Sequence, residues 1–552
     1  MATGVSSSSQ VRVVALGGFG EIGLNLLAIE CGENNLIIDA GVMFPEERWL
    51  GTDLVIPELA YLATGRRKFL GVILTHAHED HIGALPFLLR RFPMPVYGSE
   101  LTLAFARRRL QDRAPGLTAS LNTIEPHRPF ELGPFKVEAL RVTHSTPDSL
   151  ALAVDSPAGL IVHSGDFKID ETPVDGVAFD RRRFEELGER GVSLLLSDST
   201  NVEREGRSAS ESSLKPVLRD LVTRTRGKFF LSSFSSHIHR IRQVAEVSRE
   251  VGRRVVPLGR SVVQSTRIAI DLGHLSFPPG TFIDPNAADS LDRDRLTFLA
   301  SGSQGEPLSA LVKISADSHP RVRLEPGDTV VLSSRFIPGN ERTINRLINQ
   351  LYKRGAEVYY DAVAPVHVSG HACRDELSEL IRLTRPKYFV PIHGEYRHLA
   401  RHVSLAIETG VPEHNCYLLQ NGEPLVIDGT GARRAAEVQT GRVAVVEEGL
   451  GGLEVSRERQ ALAREGTVVA VVAVSRQSGE IIAGPNLISR GFTSGDGSSP
   501  VMREARDAAA SDLARLRAAP DEIESELRRS LDRFFSDELG RRPAIVPCVI
   551  KV

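Results

Sequence analysis

Three imidazoles and the Asp80 carboxylate, four potential ligands, fall within six positions in Thr75-His76-Ala77-His78-Glu79-Asp80-His81, at the end of the apolar run FLGVILT (69–75). Neutral imidazole and carboxylate suit zinc, with manganese the alternative, and such ions activate a bound water. One helix or strand cannot aim all four side chains at one ion. A strand-to-helix loop can divide them, with His76 and His78 toward one metal and Asp80 and His81 toward another. Three further donors stand at strand ends downstream: His144 closing KVEALRVTH (136–144), Asp166 in HSGDFKID and His393 in VPIHGEYRH. Isolated HxH pairs are often solvated loops with incidental histidines. The density of this cluster and its three distant companions argue for a metal site instead.

Short apolar runs must carry these donors. VRVVAL (11–16), LLAIE (26–30), LIID (36–39), FLGVILT (69–75), KVEALRVTH (136–144), LALAV (150–154), GLIVHS (159–164) and VSLLLSD (192–198) are predicted strands. HIGALPFLLRRF (81–92) and residues 100–113 are predicted helices. From 213 to 365 helices alternate with single strands such as KFFLSS (228–233), RVVPL (254–258) and DTVVLSS (328–334), the pattern of a parallel sheet. The first style resumes after KYFVPIHGE (387–395) and runs to about residue 435. Residues 436–465 read as a connector. A small α/β domain follows, with the run TVVAVVAV (467–474), a Gly/Ser-rich loop (491–499), two charged helices (501–517 and 520–538) and a last strand (544–552).

With 552 residues the chain has room for roughly three or four domains. Its 41% hydrophobic and 25% charged residues argue against disorder, collagen and membrane spans. The start, MATGVSSSSQ, reads as a polar tail over residues 1–10, without the basic and apolar segments of a secretory signal. Cys31, Cys373, Cys416 and Cys548 form no CxxC pair, which fits a reducing cytoplasm. The formal charge of −3 means that a bound polyanion must meet local or metal-borne positive charge.

Gly18-Phe-Gly20-Glu-Ile-Gly23 matches the dinucleotide fingerprint, and Asp39 lies at a suitable distance. That fingerprint needs a helix opening at its last glycine. Here Leu24–Glu30 is followed at once by the turn Cys31-Gly-Glu-Asn-Asn35, so a glycine-rich hairpin turn is the better reading.

The series His76-x-His78-x-Asp80-His81, His144, Asp166 and distant His393 resembles the motifs of the metallo-β-lactamase fold, with Asp39 in LIIDAG matching its first acidic motif. The resemblance implies an α/β fold, an αββα sandwich with the donors on loops at one edge. It implies His76, His78 and His144 on one metal, Asp80, His81 and His393 on the other, and Asp166 bridging. The interruption between Asp166 and His393 resembles that of the β-CASP nucleases, whose extra motifs match Asp198 in SDSTN, His371 in HVSGHA and His393 in PIHGEYRH. Histidine at 371, and not valine, resembles their RNA-acting branch. LGGFGEIGLN (16–25), FSSHIHRI (234–241), SGSQGEPLSAL (301–311), PVHVSGHA (365–372) and PNLISRGF (485–492) are similar to segments of the ribonuclease J family, over nearly the whole chain. Leu24 departs from it, since many relatives carry lysine there.

This resemblance implies a metallo-β-lactamase domain in two parts (11–212 and 366–435), an inserted β-CASP α/β domain (213–365), a linker (436–465) and a small C-terminal α/β domain (466–552) for oligomerisation. It implies a ribonuclease with two divalent ions, Zn2+ foremost and Mn2+ as an alternative activator. The expected activity is 5′-to-3′ exonucleolytic, favouring 5′-monophosphate ends, with endonuclease capacity, in mRNA decay and rRNA maturation. Asp80 would both ligate and orient the nucleophile. His371 would stabilise the phosphate or protonate the leaving oxygen, with metal ligation as its rival role. His367, Val368, Ser369, Gly370 and His371 supply side-chain donors and, through Gly370, exposed backbone amides. Ser236 and His237 resemble further phosphate contacts, although Ser236 reads equally as a strand-end cap. His163, beside Asp166, is a candidate to orient a donor. His127, His274, His319 and His414 read as surface or packing residues, and Arg107–Arg109, Arg181–Arg183 and Arg253–Arg254 as solvated charge runs. Single-stranded, 5′-monophosphorylated RNA, a homodimer or tetramer, and an RNA helicase or other decay factor are the implied partners, with no membrane. The competing readings are a strictly endonucleolytic β-CASP enzyme, a DNA-acting relative, a non-catalytic RNA-binding scaffold and a small-molecule hydrolase.

Overall fold

The computed structural model describes residues 10–44, 52, 54–337, 339–446, 449–450, 459, 462–493, 499–514 and 520–552. The chain divides into two compact units, 1–43 with 56–442 and 44–55 with 443–552. No helix among the described residues is long and apolar enough to cross a membrane.

In the first unit, an eight-stranded sheet runs in the order Gly431–Arg434, Leu425–Asp428, Val11–Gly17, Leu26–Cys31, Asn34–Ile38, Lys68–Ile73, Val96–Gly98 and Leu121–Thr123. A six-stranded sheet runs Tyr388–Ile392, Val192–Asp198, Gly159–His163, Leu150–Ser156, Phe135–Arg141 and Phe130–Leu132. Their inner faces interdigitate through Val13, Ile29, Leu36 and Ile38 from one sheet and Val137, Leu152, Ile161 and Leu194 from the other. The six-stranded sheet's outer face is covered by the helices Arg181–Arg190, Arg374–Thr384 and Tyr396–Glu408 through Phe184, Leu377 and Leu405. Both faces of these strands are therefore dry. That explains why the strand Leu150–Ser156 opens on a continuous apolar run, LALAV, and not on an alternating one: Leu150, Leu152 and Val154 face one side and Ala151 and Ala153 the other.

The segment 81–92 is not one helix. A helical turn, Glu79–Ile82, is followed by a separate helix, Leu85–Arg91, with Pro86 in its first turn. Proline has no N–H to donate to a preceding turn, so it is tolerated where a helix begins. The Ala84 N–H donates instead to the Ala40 carbonyl. The GxGxxG stretch makes no helix. Phe19–Gly20 pairs with Gly394–Glu395, and Leu26–Cys31 is a strand.

A second layer system occupies residues 214–359. Five parallel strands stand in the order Arg254–Leu258, Leu296–Ala300, Phe229–Ser232, Thr329–Leu332 and Glu357–Tyr359, with helices on both faces. Chain order reverses around the first strand, Phe229–Ser232. Sheets of this kind bind ligands beyond the carboxyl ends of the strands at such a reversal. The loops there begin at Ser233, Ser301 and Ser333.

In the second unit, Thr467–Val474 pairs antiparallel with Ile481–Arg490 and parallel with Ala544–Lys551. The first of these strands alternates half-buried and buried residues, and Val468, Ala470, Val472 and Val474 face the helices Pro500–Leu513 and Pro520–Leu539. The ten-residue strand Ile481–Arg490 was absent from the sequence reading. Within the expected connector 436–465, Arg442–Val446 forms a strand. The expected tail 1–10 lies, apart from residue 10, outside the described residues.

Arg240 is fully buried and pairs with both carboxylate oxygens of Glu211 through the Nε and NH2 edge of its guanidinium. Its remaining N–H groups reach the Ser333 and Val366 carbonyls, so one guanidinium ties the five-stranded sheet to the segment leading to His371. Removing one partner of a buried pair leaves an uncompensated charge. Glu211→Ala is expected to lower stability by about 3–5 kcal/mol, read as a lower urea midpoint by circular dichroism.

Candidate metal centre

All seven sequence-predicted donors meet at one edge of the sandwich. Thr75–Ala77 follow the strand Lys68–Ile73, His78 caps the turn Glu79–Ile82, and Asp80 and His81 lie inside that turn and not on a loop. His144 and Asp166 each stand three residues beyond a strand of the six-stranded sheet, and His393 directly follows another, in left-handed backbone at φ +52°. His76 Nε2 lies 3.0 Å from His78 Nδ1, which lies 3.1 Å from His144 Nε2. Asp166 Oδ2 is 3.6 Å from His76 Nε2 and 3.2 Å from His81 Nε2. Asp80 Oδ2 is 3.6 Å from His81 Nε2 and 3.3 Å from His393 Nε2. The seven donors form two sets that share Asp166, and Asp166, Asp198, His371 and His393 form a third; within each, the ligand atoms lie within 4.8 Å of one another.

The opposite ring nitrogens decide what these atoms present. A backbone carbonyl can only accept, so His144 Nδ1 donates to Gly370 O at 2.7 Å and Nε2 keeps its lone pair. The Thr75 hydroxyl donates to Asp39 and therefore accepts from His76 Nδ1, again leaving Nε2 bare. The Thr200 hydroxyl donates to Asp198 and accepts from His393 Nδ1. Asp39 holds His81 Nδ1 at 2.7 Å. Ser145 Oγ meets His78 Nε2 at 3.0 Å, so Nδ1 faces the cluster. Converging lone pairs at hydrogen-bonding distance have no proton to share, and a cation satisfies them. The residues present fit a metal.

Electrostatics separate the two sets. Burial, reinforced by neighbouring imidazoles, holds His76 and His144 well below the usual histidine range, and burial lowers His78 to about 4. Burial also opposes charge on His81 and His393. There the carboxylates prevail: Asp166, Asp80 and Asp39 raise His81 well above its usual value, and Asp166, Asp198 and Asp80 raise His393 to about 10. The neutral set is ready to ligate, and the other must lose protons first.

His371 stands against this cluster, its ring 5.0 Å from His144 and 5.5 Å from His393. Asp198 Oδ2 holds its Nδ1 at 2.7 Å. His163 is buried and accepts the Gly165 N–H at Nδ1, at the turn that leads into Asp166. Gly370 does something other than expose amides. A Cβ there would lie 2.8 Å from the His144 ring, so glycine makes room for a donor and supplies the carbonyl that orients it. Gly41 is equally constrained, because a Cβ would collide with the Asp80 carbonyl.

Ser236 and His237 lie where the strand Phe229–Ser232 leads into the helix Ile238–Glu250. His237 is the cap residue of that helix, which has no side-chain cap bond. His237 and His367 each have a buried Nδ1 without a partner among the described residues. Val368 packs against the apolar cluster of the parallel sheet. The arginine runs face elsewhere: Arg109 pairs with Glu79, Arg181 with Glu171 and Glu379, Arg183 with Glu138, and Arg253 holds backbone carbonyls. His127 and His274, read as surface or packing residues, pair with Asp180 and Asp148 away from the donors.

Sequence reasoning missed Thr75, Ser145, Thr200 and Asn25, whose side chain reaches the Asp80 carbonyl and His81 Nε2. It also missed what the glycine-rich turn does, which is to hold His393 through the Gly18 carbonyl. Thr75 and Ser145 adjoin the predicted donors His76 and His144, and Thr200 lies two residues beyond Asp198; that proximity is the available signal.

Family models match along the chain: the metallo-β-lactamase superfamily over residues 25–194, the ribonuclease J β-CASP domain over 226–351, a Zn-dependent metallo-hydrolase RNA specificity domain over 355–418 and the ribonuclease J C-terminal domain over 454–552. Ribonuclease J of Helicobacter pylori is 35% identical over 98% of this chain and 80% of its own. Ribonuclease J 1 of Streptococcus pyogenes is 36% identical over 98% of both chains. Ribonuclease J of Mycobacterium tuberculosis is 37% identical over 100% of this chain and 99% of its own. A crystal structure of an Enterococcus faecalis protein of unknown function shares the fold, at TM-score 0.54 and 17% identity, covering 76% of this chain and all of that one. With its buried His/Asp clusters and full-length relatives, this chain belongs to the ribonuclease J family and is a metal-dependent ribonuclease.

Proposed function

We propose that the protein degrades single-stranded RNA from a 5′-monophosphorylated end, 5′ to 3′, with endonuclease capacity, in cytoplasmic mRNA decay and rRNA maturation. The observation that carries this reading is the Asp198–His371 pair set against two donor sets that share one Asp166 oxygen. His76, His78, His144 and Asp166 would hold one divalent ion, and Asp80, His81, His393 and Asp166 the other, Zn2+ foremost with Mn2+ as an alternative activator. Two such ions supply an acidified water and neutralise phosphoryl charge.

The protein's own residues do the rest. Asp80, between His81 and His393, orients the nucleophile. Asp198 accepts a hydrogen bond from the His371 Nδ1 proton and turns Nε2 toward the phosphate. The ring acts as an imidazolium, whose Nε2 proton passes to the leaving 3′-oxygen and leaves a neutral imidazole still protonated at Nδ1. Cleavage of that bond leaves a 5′-phosphate on the downstream product, so each product is the next substrate. Ser236, His237, His367, Val368, Ser369 and Gly370 line the phosphate side. Residues 466–552 assemble the chain into a dimer or tetramer; Ile488, Val546 and Ile550, on the sheet that packs against the helices, are exposed. An RNA helicase or other decay factor is the proposed further partner.

Purified protein supplied with zinc and manganese, acting on one labelled RNA with a 5′-monophosphate or a 5′-triphosphate, tests the reading. Mononucleotides are expected first, and faster from the monophosphate. Discrete internal fragments at equal rates from both would make the enzyme a strict endonuclease. His371→Ala is expected to lower kcat roughly 10²–10⁴-fold with little change in KM, as for loss of a general acid; an undiminished kcat would remove that role. Because His81 and His393 are held protonated, metal affinity at their set should rise with pH, whereas the His76/His78/His144 set should vary little near neutrality. Dialysis followed by metal analysis should find two ions retained at pH 8 and fewer at pH 6, and equal retention at both would refute the assignment.

A further inference from the structure

The helix Tyr396–Glu408 begins three residues beyond His393, and nine positions beyond that donor it carries His402, which is fully buried. One ring nitrogen, Nδ1, lies 2.9 Å from Ser199 Oγ, and the other, Nε2, is buried without a partner among the described residues. Phe389 stands edge-on to the ring at 4.9 Å. Burial lowers His402 to about 3, against the pull of Asp198, so the ring is neutral and carries one proton. Ser199 Oγ donates to the Ser197 carbonyl, which can only accept. The hydroxyl therefore accepts from His402 Nδ1–H, and Nε2 keeps a bare lone pair.

A leucine would fill this apolar place without an unmatched nitrogen, and a buried polar atom left unmatched costs free energy. Stability alone therefore does not account for a histidine here. What it supplies is one N–H, spent on Ser199, and Ser199 lies between two side chains that set the centre. On one side Asp198 Oδ2 holds His371 Nδ1 at 2.7 Å. On the other the Thr200 hydroxyl donates to Asp198 Oδ1 at 2.7 Å and accepts from His393 Nδ1 at 2.9 Å. Ser199 is itself fully buried, and a Cβ on Gly394 would lie 3.3 Å from the Ser199 Cβ, so this turn is pressed against the segment that follows His393.

We infer that His402 is a positioning residue: its Nδ1–H holds the turn Asp198–Thr200 by the middle hydroxyl, and with that one bond fixes His371 for proton transfer and His393 for ligation. The inference rests on the roles proposed above for those two histidines, and it gives them a common support from outside the donor motifs. The hydrogen bonds of the His402 and Ser199 side chains reach no metal-facing donor, so the effect passes through the turn. Groups that orient ligands in this way tune metal affinity and activity without touching the ion.

The test uses the full chain supplied with zinc and manganese, and reads RNA cleavage, ions retained on dialysis and the urea midpoint. His402→Leu is expected to lower kcat roughly 10–100-fold with little change in KM, and to weaken retention of one of the two ions to a similar degree. Its urea midpoint should hold or rise, because an apolar side chain replaces a half-matched polar one. His402→Asn, whose amide nitrogen stands near the place of Nδ1, should restore most of both losses. His402→Gln, whose amide falls near Nε2, should not. Ser199→Ala should reproduce the losses, and adding it to His402→Leu should cost nothing further. The serine variant also carries the test if the leucine variant does not fold, since wild-type kcat and ion retention in Ser199→Ala would overturn the proposal. A lowered urea midpoint with kcat and retention unchanged would reduce His402 to packing and overturn it too, as would losses in the two variants that simply add. If His371→Ala keeps full kcat, the proton-transfer reading fails, and ion retention still decides the role of His402. If that variant is impaired and His402→Leu is not, the assignment of His402 alone fails.

Discussion

One carboxylate oxygen, Asp166 Oδ2, stands within 4.0 Å of nitrogens from His76, His81, His144 and His371. A buried carboxylate is costly unless it is paired, and clustered imidazoles repel one another when protonated. Each problem offsets the other. The histidines hold Asp166 far below the usual carboxylate range, and its charge, with those of Asp80 and Asp39, raises His81 well above the usual histidine value. The edge of the sandwich is thus an electrostatic arrangement completed by cations, and the two sheets exist at this site to bring donors from separate strands to that oxygen.

Precision comes from the atoms behind the donors. Asp39, Thr75, Ser145, Thr200 and the Gly370 carbonyl each take the outward nitrogen of one imidazole. Such contacts select the tautomer and the ring orientation, on which metal affinity depends. Asp39 and His393 adopt left-handed backbone to do their parts, at φ +61° and +52°. Strain at such positions persists only when the surroundings hold it, and here ladder and turn hydrogen bonds do so on both sides.

The carboxyl edge of the parallel sheet of residues 229–359 is tied to this centre. Arg240 and Asn201 are two of its buried connections. The first reaches the segment before His367, and the second reaches Ser369 and His371. Through them the loop His367–His371 is held by the sandwich and by the inserted sheet together, so a single loop orients His144, presents His371 and offers the Ser369 hydroxyl.

By itself the sequence determined the donor types, the strands that carry them and the alternation from sandwich to parallel sheet, because these depend on residue chemistry and on short-range periodicity. The split of 81–92 around Pro86 and the strand Ile481–Arg490 escaped it, since a proline tolerated in a first turn and a strand opening on Ile-Ile-Ala-Gly-Pro leave weak local signals. Tertiary structure alone decided which nitrogen each histidine presents and why residue 370 is a glycine. His144 and Gly370 are 226 positions apart, and Thr200 and His393 are 193 apart. A hydroxyl or a backbone carbonyl carries no mark of its partner in the chain; it acquires a role only when folding places it at hydrogen-bonding distance from an imidazole that has one nitrogen left to satisfy.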